Sequence, residues 1–239
     1  MTTVRVRTPS LSRFHRFFFK RHDWSILRCL EYESLLTARL AGRVLDFGGG
    51  GKTNYSDMIP AWADPEQKYV YESANIDPAS KPTHLLRNGC HLPVAPSYYD
   101  TVISLNTFEH VRDLSGAFRE IHRILRSGGR LAFMVPFIFR VHGHPDDFIR
   151  GTPSYWEKCL HRHGFDCIQI DVLNWGPFST AHMISGAPGP FKIIRRYLAL
   201  LTDIVYFAFR YGQDKTFHLE QDAPIASAPI GYFIDSTKK

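Results

Sequence analysis

Cysteine is scarce in this chain, and its spacing argues against the sites that cysteine usually builds. The 239 residues include four cysteines, Cys29, Cys90, Cys159 and Cys167, and no two of them form a C-x-x-C pair. We therefore expect neither a disulfide framework nor a zinc knuckle, and we expect a reducing, cytoplasmic environment.

Long apolar segments are also missing. The longest apolar run covers residues 197–209 and contains Asp203, whereas a helix that spans a bilayer needs about 20 apolar residues. The first residues lack the apolar segment and the small-residue cleavage site of a signal peptide. We therefore expect no spanning helix and no secretion.

Negative charge is absent from the start of the chain, where the first acidic residue is Asp23. Six basic side chains and four phenylalanines precede it: Arg5, Arg7, Arg13, Arg16, Lys20, Arg21, Phe14, Phe17, Phe18 and Phe19. This composition suits an anionic membrane surface, a transit peptide, or an arm that packs on the domain. Residues 1–22 and the apolar helix predicted at 191–211 are the candidates for peripheral contact with the inner face of a membrane.

The composition as a whole is that of a globular protein. Hydrophobic residues make up 44% of the chain and aromatic residues 14%, which is sufficient for one core. The formal net charge of +6 favours an acidic partner surface. Because the basic residues form no stripe with base-stacking aromatics in the predicted core, we expect no nucleic-acid partner.

Apolar strands alternate with amphipathic helices along the chain. The predicted strands cover residues 43–47, 69–77, 83–86, 99–106, 130–137, 165–173 and 229–235, and the predicted helices cover 24–40, 114–126, 153–163 and 191–211. This alternation predicts an α/β fold: a Rossmann-like, doubly wound, mostly parallel seven-stranded sheet with helices on both faces and a helical cap insertion.

Four segments follow from this pattern. Residues 1–40 form a basic, aromatic N-terminal arm and helix, and residues 41–175 form the Rossmann-like core. Glycine and proline predict a loop at 175–190, so residues 176–228 form a cap or lid around the helix at 191–211. Residues 229–239 supply a last strand of the core sheet.

The segment D-F-G-G-G-G-K-T, residues 46–53, is the main candidate for ligand binding, because a strand that runs into glycines lets backbone approach a ligand. A phosphate-binding P-loop would require glycine at position 46, where Asp46 would repel phosphates. A dinucleotide turn, G-x-G-x-x-G, fits Gly48 and Gly50 but would require glycine at position 53. An acid followed by G-x-G fits directly, and the acid suits a positively charged ligand.

With this turn the chain resembles the class I S-adenosylmethionine-dependent methyltransferases, especially the type 11 group, over residues 43–173. The family's other motifs follow in order: I-D at 76–77, N-G-C-H-L-P at 88–93, Y-D-T-V-I at 99–103, F-E-H-V at 108–111, R-I-L-R-S-G-G at 123–129 and G-F at 164–165. Two departures are Lys52, which replaces the third glycine of the turn, and Asn88, which replaces an acid. The long gap between Gly50 and Asp77 implies an inserted loop.

The resemblance implies S-adenosylmethionine as the cofactor and suggests where it binds. Asp46 would favour its positive end, Asp77 would hold the ribose hydroxyls, and Asn106 would lie near its amino-acid portion. The implied cofactor-binding residues are Asp46, Gly48, Gly49, Gly50, Asp77, Asn88, Gly89 and Asn106.

The segment H-G-H-P-D-D-F-I-R-G-T, residues 142–152, follows the fifth strand, at the edge where doubly wound folds bind ligands. His142 and Asp147 are predicted to orient and deprotonate an acceptor, and His110 is a further catalytic candidate. His144 and Arg150 are predicted to bind substrate, although an Asp147–Arg150 ion pair that merely holds the loop is the alternative. No metal site is expected, because H-x-H-x-D-D lacks the final histidine of the zinc hydrolase motif.

The sequence therefore predicts an S-adenosylmethionine-dependent methyltransferase that modifies oxygen or nitrogen of a small-molecule, sugar or lipid-linked glycan acceptor. The glycan is favoured because the loop at 142–152 resembles that of methyltransferases of surface-polysaccharide pathways. A non-catalytic S-adenosylmethionine sensor is the main alternative, ahead of an NAD-dependent oxidoreductase and a P-loop NTPase.

Overall fold

The strands of the chain join in one sheet. They are β1 (Thr3–Val6), β2 (Gly42–Phe47), β3 (Tyr69–Asn75), β4 (His84–Leu85), β5 (Tyr99–Leu105), β6 (Leu125–Pro136), β7 (Phe165–Leu173) and β8 (Gly231–Lys238). This computed structural model describes residues 3–239 except 20, 22, 38, 51–54, 56–57, 87–89, 144–145, 187–188 and 212–227. The strand order is β1-β7-β8-β6-β5-β2-β3-β4, and only β8 runs antiparallel to its neighbours.

Helices connect the strands and cover the sheet. They are α1 (Leu11–Phe17), α2 (Ile26–Leu35), α3 (Ile59–Trp62), α4 (Leu114–Ile124), α5 (Pro153–Arg162), α6 (Pro177–Ile184) and α7 (Lys192–Tyr211). Short 3-10 turns at Pro78–Ser80 and Phe108–His110 follow β3 and β5. The Rossmann-like α/β fold predicted from the sequence is therefore confirmed.

Local signals explain where α4 and α5 begin. The Asp113 carboxylate accepts a hydrogen bond from the Gly116 amide at 2.8 Å, which caps α4. Thr152 caps α5, and Pro153 occupies its first turn, where a missing amide hydrogen costs nothing. Both helices begin where the sequence predicted, at residues 114 and 153.

The sheet separates two apolar clusters, as expected for a doubly wound fold. One cluster packs α4 and α5 on the sheet and includes Phe118, Phe133 and Trp156. The other includes Trp62 and Trp175 and contains apolar residues of α2. Both layers pack against the faces of the sheet. This packing holds in place the edge at which the parallel strands end.

The predicted count of seven strands is wrong, because the N-terminal arm adds an eighth. β1 pairs in parallel with β7, and the Arg5 Nε atom lies 2.9 Å from the Asp171 Oδ1 atom. Arg13 holds α1 to α2 through a two-pronged ion pair with Glu33. The pairing partner of β1 lies far away in sequence, so no local pattern indicated this strand.

The loop predicted at residues 175–190 is also wrong, since α6 lies within it. Pro177 occupies the first turn of α6, but the cap comes from α7. The buried Asp203 carboxylate accepts hydrogen bonds from the Phe178 and Ser179 amides at 2.9 and 2.8 Å. Because this cap is a tertiary contact, glycine and proline alone suggested a loop.

The second helix of the cap, α7, has an inner and an outer face. Leu200 and Phe207 are buried, and the Leu200 carbonyl accepts a hydrogen bond from the Trp175 indole at 3.0 Å. The outer face exposes apolar residues at helical spacing: Ile194, Leu198, Leu201, Val205 and Phe209. Within the described part of the chain, no helix is long and apolar enough to cross a membrane.

The buried phenylalanine of the N-terminal arm provides a stability test. Phe18 is fully buried, and its ring centroid lies 4.7 Å from that of Trp175. We predict that Phe18→Ala lowers the free energy of unfolding by about 3–5 kcal/mol, because it leaves a cavity in the core. Phe19→Ala, at a half-exposed neighbour, should cost only about 0.5 kcal/mol.

Urea denaturation of both variants and of the unmodified chain measures this difference. Equal losses at the two positions would show that the arm is not part of the core.

Candidate functional site

The glycine turn lies at the end of β2, and its geometry requires glycine. Gly48 has a positive φ of 98°, and a Cβ atom there would lie 2.1 Å from the Thr107 hydroxyl oxygen. A Cβ atom on Gly49 would lie 2.0 Å from an Asp46 carboxylate oxygen. The Asn75 side-chain amide supports the turn by donating to the Gly48 carbonyl at 2.6 Å. The sequence analysis did not predict Asn75 as a site residue, although an amide side chain at the end of β3, the strand next to β2, could have indicated it.

Asp46 is fully buried beside this turn. Its Oδ2 atom accepts hydrogen bonds from the hydroxyls of Tyr55 at 2.6 Å and Tyr71 at 2.5 Å. Its Oδ1 atom has no hydrogen-bond partner among the residues that the structure describes. Burial raises the pKa of Asp46 to about 6, although the tyrosine hydrogen bonds act to lower it.

A second buried acid, Glu31 of α2, reaches the same edge of the sheet. The Asn106 amide follows β5 and donates to the Glu31 Oε2 atom at 3.0 Å. The Glu31 Oε1 and Asn106 Oδ1 atoms are buried without a partner in the described part of the chain. Burial raises the pKa of Glu31 to about 7. The sequence analysis did not predict Glu31 as a site residue. Its position, an acid within an otherwise apolar stretch of helix, is the feature that could have indicated it.

Tyr32 lies within electrostatic range of both acids. Burial raises the pKa of its hydroxyl, Arg28 opposes that shift, and the charges of Glu31 and Asp46 add to it. The unsatisfied oxygens of the two acids and of Asn106 therefore belong to one electronegative region at the ends of β2 and β5. Such a region is suited to a cationic hydrogen-bond donor.

The remaining predicted cofactor residues are placed differently. Asp77 follows β3 on the surface, where its carboxylate accepts from the Ala79 amide at 2.9 Å and caps the turn at Pro78–Ser80. A Cβ atom on Gly50 would lie 2.5 Å from the Ser80 carbonyl oxygen, so this turn borders the glycines. Asn88 and Gly89 lie outside the described residues.

The loop after β6 folds against the end of β5. The Phe148 amide donates to the Glu109 carbonyl at 2.7 Å, and the His110 Nδ1 atom lies 2.5 Å from the Asp146 carbonyl oxygen. The His110 and His142 rings meet nearly at right angles with centroids 5.0 Å apart. The structure therefore brings together His110, His142, Asp147 and Arg150, whereas His144 lies outside the described residues.

His142 is oriented by acceptors on one side of its ring. Its Nδ1 atom lies 3.1 Å from the Arg140 carbonyl oxygen and 3.5 Å from the Asp147 Oδ2 atom. Because both neighbours only accept hydrogen bonds, Nδ1 carries the proton, and Nε2 of the neutral ring carries the lone pair. The side chain is 40% exposed, so a ligand can reach it.

Asp147 forms the ion pair with Arg150 that the alternative interpretation of this loop predicted. Its carboxylate forms a two-pronged ion pair with Arg150 and accepts a hydrogen bond from the His142 amide at 3.0 Å. Burial acts to raise the pKa of Asp147, but these hydrogen bonds lower it below its ordinary value. Asp147 therefore remains ionised and holds the loop while it orients His142.

Glu109 is the third buried acid at this edge and was not predicted as a site residue. Its side chain is fully buried, and neither oxygen has a hydrogen-bond partner among the described residues. Burial raises its pKa to about 8, and the nearby charge of Glu31 adds to the shift. The E-H-V motif contained Glu109, but only the fold shows that its side chain points inward.

A protein-family model matches part of this chain. The family model of a type 11 methyltransferase, described as a methyltransferase domain, matches residues 62–133. This stretch runs from the end of α3 into β6 and includes the E-H-V and R-I-L-R-S-G-G motifs.

Individual relatives are distant. The chain is 28% identical over 154 residues to the Dictyostelium discoideum protein named Probable polyketide synthase 14, a match that covers 52% of this chain and 5% of that protein. Among solved structures, an S-adenosylmethionine-dependent methyltransferase from Mesorhizobium loti is 14% identical, with a TM-score of 0.51 and coverage of 91% of this chain and 100% of that one.

A further solved structure is a Haemonchus contortus phosphoethanolamine N-methyltransferase in complex with S-adenosylhomocysteine. It is 12% identical, with a TM-score of 0.51 and coverage of 87% of this chain and 52% of that one. At these identities the two structures show the shared fold alone. The match of the methyltransferase family model to residues 62–133 supports the resemblance to the type 11 S-adenosylmethionine-dependent methyltransferases that the ordered motifs indicated.

Proposed function

We propose that the chain transfers the methyl group of S-adenosylmethionine to oxygen or nitrogen of a small-molecule, sugar or lipid-linked glycan acceptor. One observation carries this proposal. The unsatisfied oxygens of Glu31, Asp46 and Asn106 lie at the ends of β2 and β5, beside the loop that presents His142. A donor site and an acceptor site therefore share one edge of the sheet, where doubly wound folds bind ligands.

The donor side fits the cofactor chemically. The ammonium group of S-adenosylmethionine offers three hydrogen-bond donors, and the unsatisfied oxygens of Glu31, Asp46 and Asn106 offer buried acceptors. Gly48 and Gly49 keep the turn tight, because the Thr107 and Asp46 side chains occupy the space where a Cβ atom would lie. Asp77 would hold the ribose hydroxyls, and Asn88 with Gly89 would lie near the adenine, as the family resemblance implies.

The acceptor side fits a proton-accepting role. When bound, the cofactor supplies an electrophilic methyl group on a sulfonium. His142 presents the Nε2 lone pair to an acceptor hydroxyl or amine, while Asp147 and the Arg140 carbonyl hold the opposite nitrogen. His110 packs against this ring and fixes its position. The main contribution of the site is to align donor and acceptor.

The buried acids predict how cofactor binding depends on pH. With a pKa of about 7, Glu31 is protonated in mildly acidic solution. A cationic ligand favours its ionised form, so S-adenosylhomocysteine should bind more tightly as the pH rises from 5 to 8. Glu31→Gln should weaken binding at pH 8 about tenfold and flatten this dependence. Isothermal titration calorimetry at several pH values measures both effects.

The ligand-free protein should show the opposite trend. A carboxyl group whose pKa is raised on folding stabilises the folded state below its ordinary pKa, 4.5 for glutamate, and that stability is lost as the pH rises through about 7. The melting temperature should therefore fall between pH 5 and 8, and less so in Glu31→Gln.

A thermal-shift preference for NAD or ATP over S-adenosylhomocysteine would contradict the proposed cofactor.

The acceptor loop predicts a separate effect on turnover. We expect His142→Ala to lower methyl transfer at least 100-fold, in the range of lost acid–base catalysis, while the Kd for S-adenosylhomocysteine changes less than about twofold. His161→Ala is the matched control, since His161 pairs with Asp166 on the surface. Transfer of labelled methyl groups to a cell extract measures turnover. Cofactor binding by the unmodified chain without any labelled product would favour the sensor alternative.

We also propose that the outer face of α7 lies on an anionic membrane, which would place the site near a lipid-linked acceptor. This face exposes Leu198, Val205 and Phe209, and basic residues Lys192 and Arg210 stand at the two ends of the helix. Positive charge beside apolar side chains complements an anionic leaflet. The arm contributes less than its sequence suggested, because Phe14 and Phe18 are buried, whereas the neighbouring Phe19 is half exposed.

Vesicle flotation tests this surface. The unmodified chain should float with anionic vesicles, less so at high salt, and should not float with neutral ones. The double variant Leu198→Gln/Phe209→Gln should lose flotation, whereas Val70→Gln, at an exposed apolar residue of β3, should keep it. An absence of flotation at low salt would contradict the proposed membrane contact.

A further inference from the structure

Three metal-ligating side chains meet where β5 and the loop after β6 come together. One carboxylate oxygen of Glu109 and one ring nitrogen each of His110 and His142 all lie within 4.8 Å of one another. Glu109 is buried, His110 is half-buried and His142 is exposed. The group therefore runs from the core to the solvent beside the proposed acceptor site.

The surroundings of the Glu109 carboxylate are a second, independent observation that points to a cation. Its Oε1 atom lies 3.6 Å from the His110 Nε2 atom, which is too long for a hydrogen bond. In the described part of the chain neither oxygen has a hydrogen-bond partner, and an unpaired buried carboxyl group is costly. The charge of the Arg150 guanidinium acts to lower the pKa of Glu109, but Arg150 is paired with Asp147. A bound cation would satisfy both oxygens.

Both histidines are arranged as metal ligands are. The His110 Nδ1 atom donates to the Asp146 carbonyl oxygen at 2.5 Å, and the His142 Nδ1 atom donates to the Arg140 carbonyl oxygen at 3.1 Å. Each neutral ring therefore carries its lone pair on Nε2. In metal sites the non-ligating nitrogen is usually held by a carbonyl or carboxylate in this way.

We propose that Glu109, His110 and His142 bind a divalent first-row transition metal ion. Two imidazoles and one carboxylate suit zinc, iron, cobalt or manganese, whereas magnesium and calcium prefer oxygen ligands. Three protein ligands leave coordination positions open, as in catalytic sites. The ligand set differs from the H-x-H-x-D-D motif, because Asp147 is paired with Arg150 and Glu109 comes from the turn after β5.

The proposed metal also narrows the acceptor class, and this step rests on the proposed methyl transfer. Its open positions would face the acceptor loop, and a hard oxygen donor such as a hydroxyl or a vicinal diol would bind there. The cation, held by Glu109, His110 and His142, would then lower the pKa of the bound hydroxyl and would take the place of the His142 lone pair in activating it. An oxygen acceptor, such as a sugar, is therefore favoured over an amine.

Metal binding can be measured without any acceptor. Purified protein is freed of metal by chelation and titrated with Zn²⁺ against a fluorescent chelator, and with Co²⁺ by visible absorption. We expect one tight site in the unmodified chain and at least about tenfold weaker binding in both Glu109→Gln and His142→Ala. His161→Ala, which removes a surface histidine, should bind as the unmodified chain does.

The outcomes separate this proposal from the proposed function. S-adenosylhomocysteine binding by each variant confirms that it is folded. If the unmodified chain binds no metal, if either ligand variant keeps its affinity, or if His161→Ala also loses it, the metal site is wrong even where the cofactor binds. If the metal binds as expected but S-adenosylhomocysteine does not, the proposed function fails and the metal site stands.

Discussion

Three carboxyl groups are buried where the parallel strands β2 and β5 end, and burial raises the pKa of each one. Asp46, Glu31 and Glu109 hold pKa values of about 6, 7 and 8. Each retains at least one oxygen without a hydrogen-bond partner among the described residues. Such an arrangement costs stability in the free protein, and positive ligands would recover that cost on binding. The chemistry of this edge follows from buried carboxyl groups whose ionised forms a bound cation would favour.

The fold concentrates these groups because of its topology. Parallel strands all end at one edge, so residues far apart in the chain converge there. Helix α2 adds Glu31 from before the first core strand, and the loop after β6 adds His142 beside His110. The Phe148 amide, which donates to the Glu109 carbonyl, ties that loop to the end of β5. Donor and acceptor sides are thus built on one rigid frame.

The N-terminal arm and the cap, which lie outside the core, both pack against it. The arm completes the sheet through β1 and buries Phe18 against Trp175, so it cannot be a freely mobile membrane anchor. The cap is joined to the core from its inner face, where the Trp175 indole donates a hydrogen bond to the Leu200 carbonyl. Its outer face remains apolar at helical spacing. One helix therefore packs on the domain with one face and exposes apolar residues on the other.

Local patterns in the chain were enough to predict the strands of the core, the starts of α4 and α5, and the glycine turn, because hydrophobic period and glycine freedom act over a few residues. They also indicated the cofactor class, through the acid before the glycines. Strand β1, helix α6 and the inward positions of Glu31 and Glu109 were decided only by tertiary structure. Their partners lie far away in sequence, and burial, which raises the pKa of an acid, is a property of the packed fold.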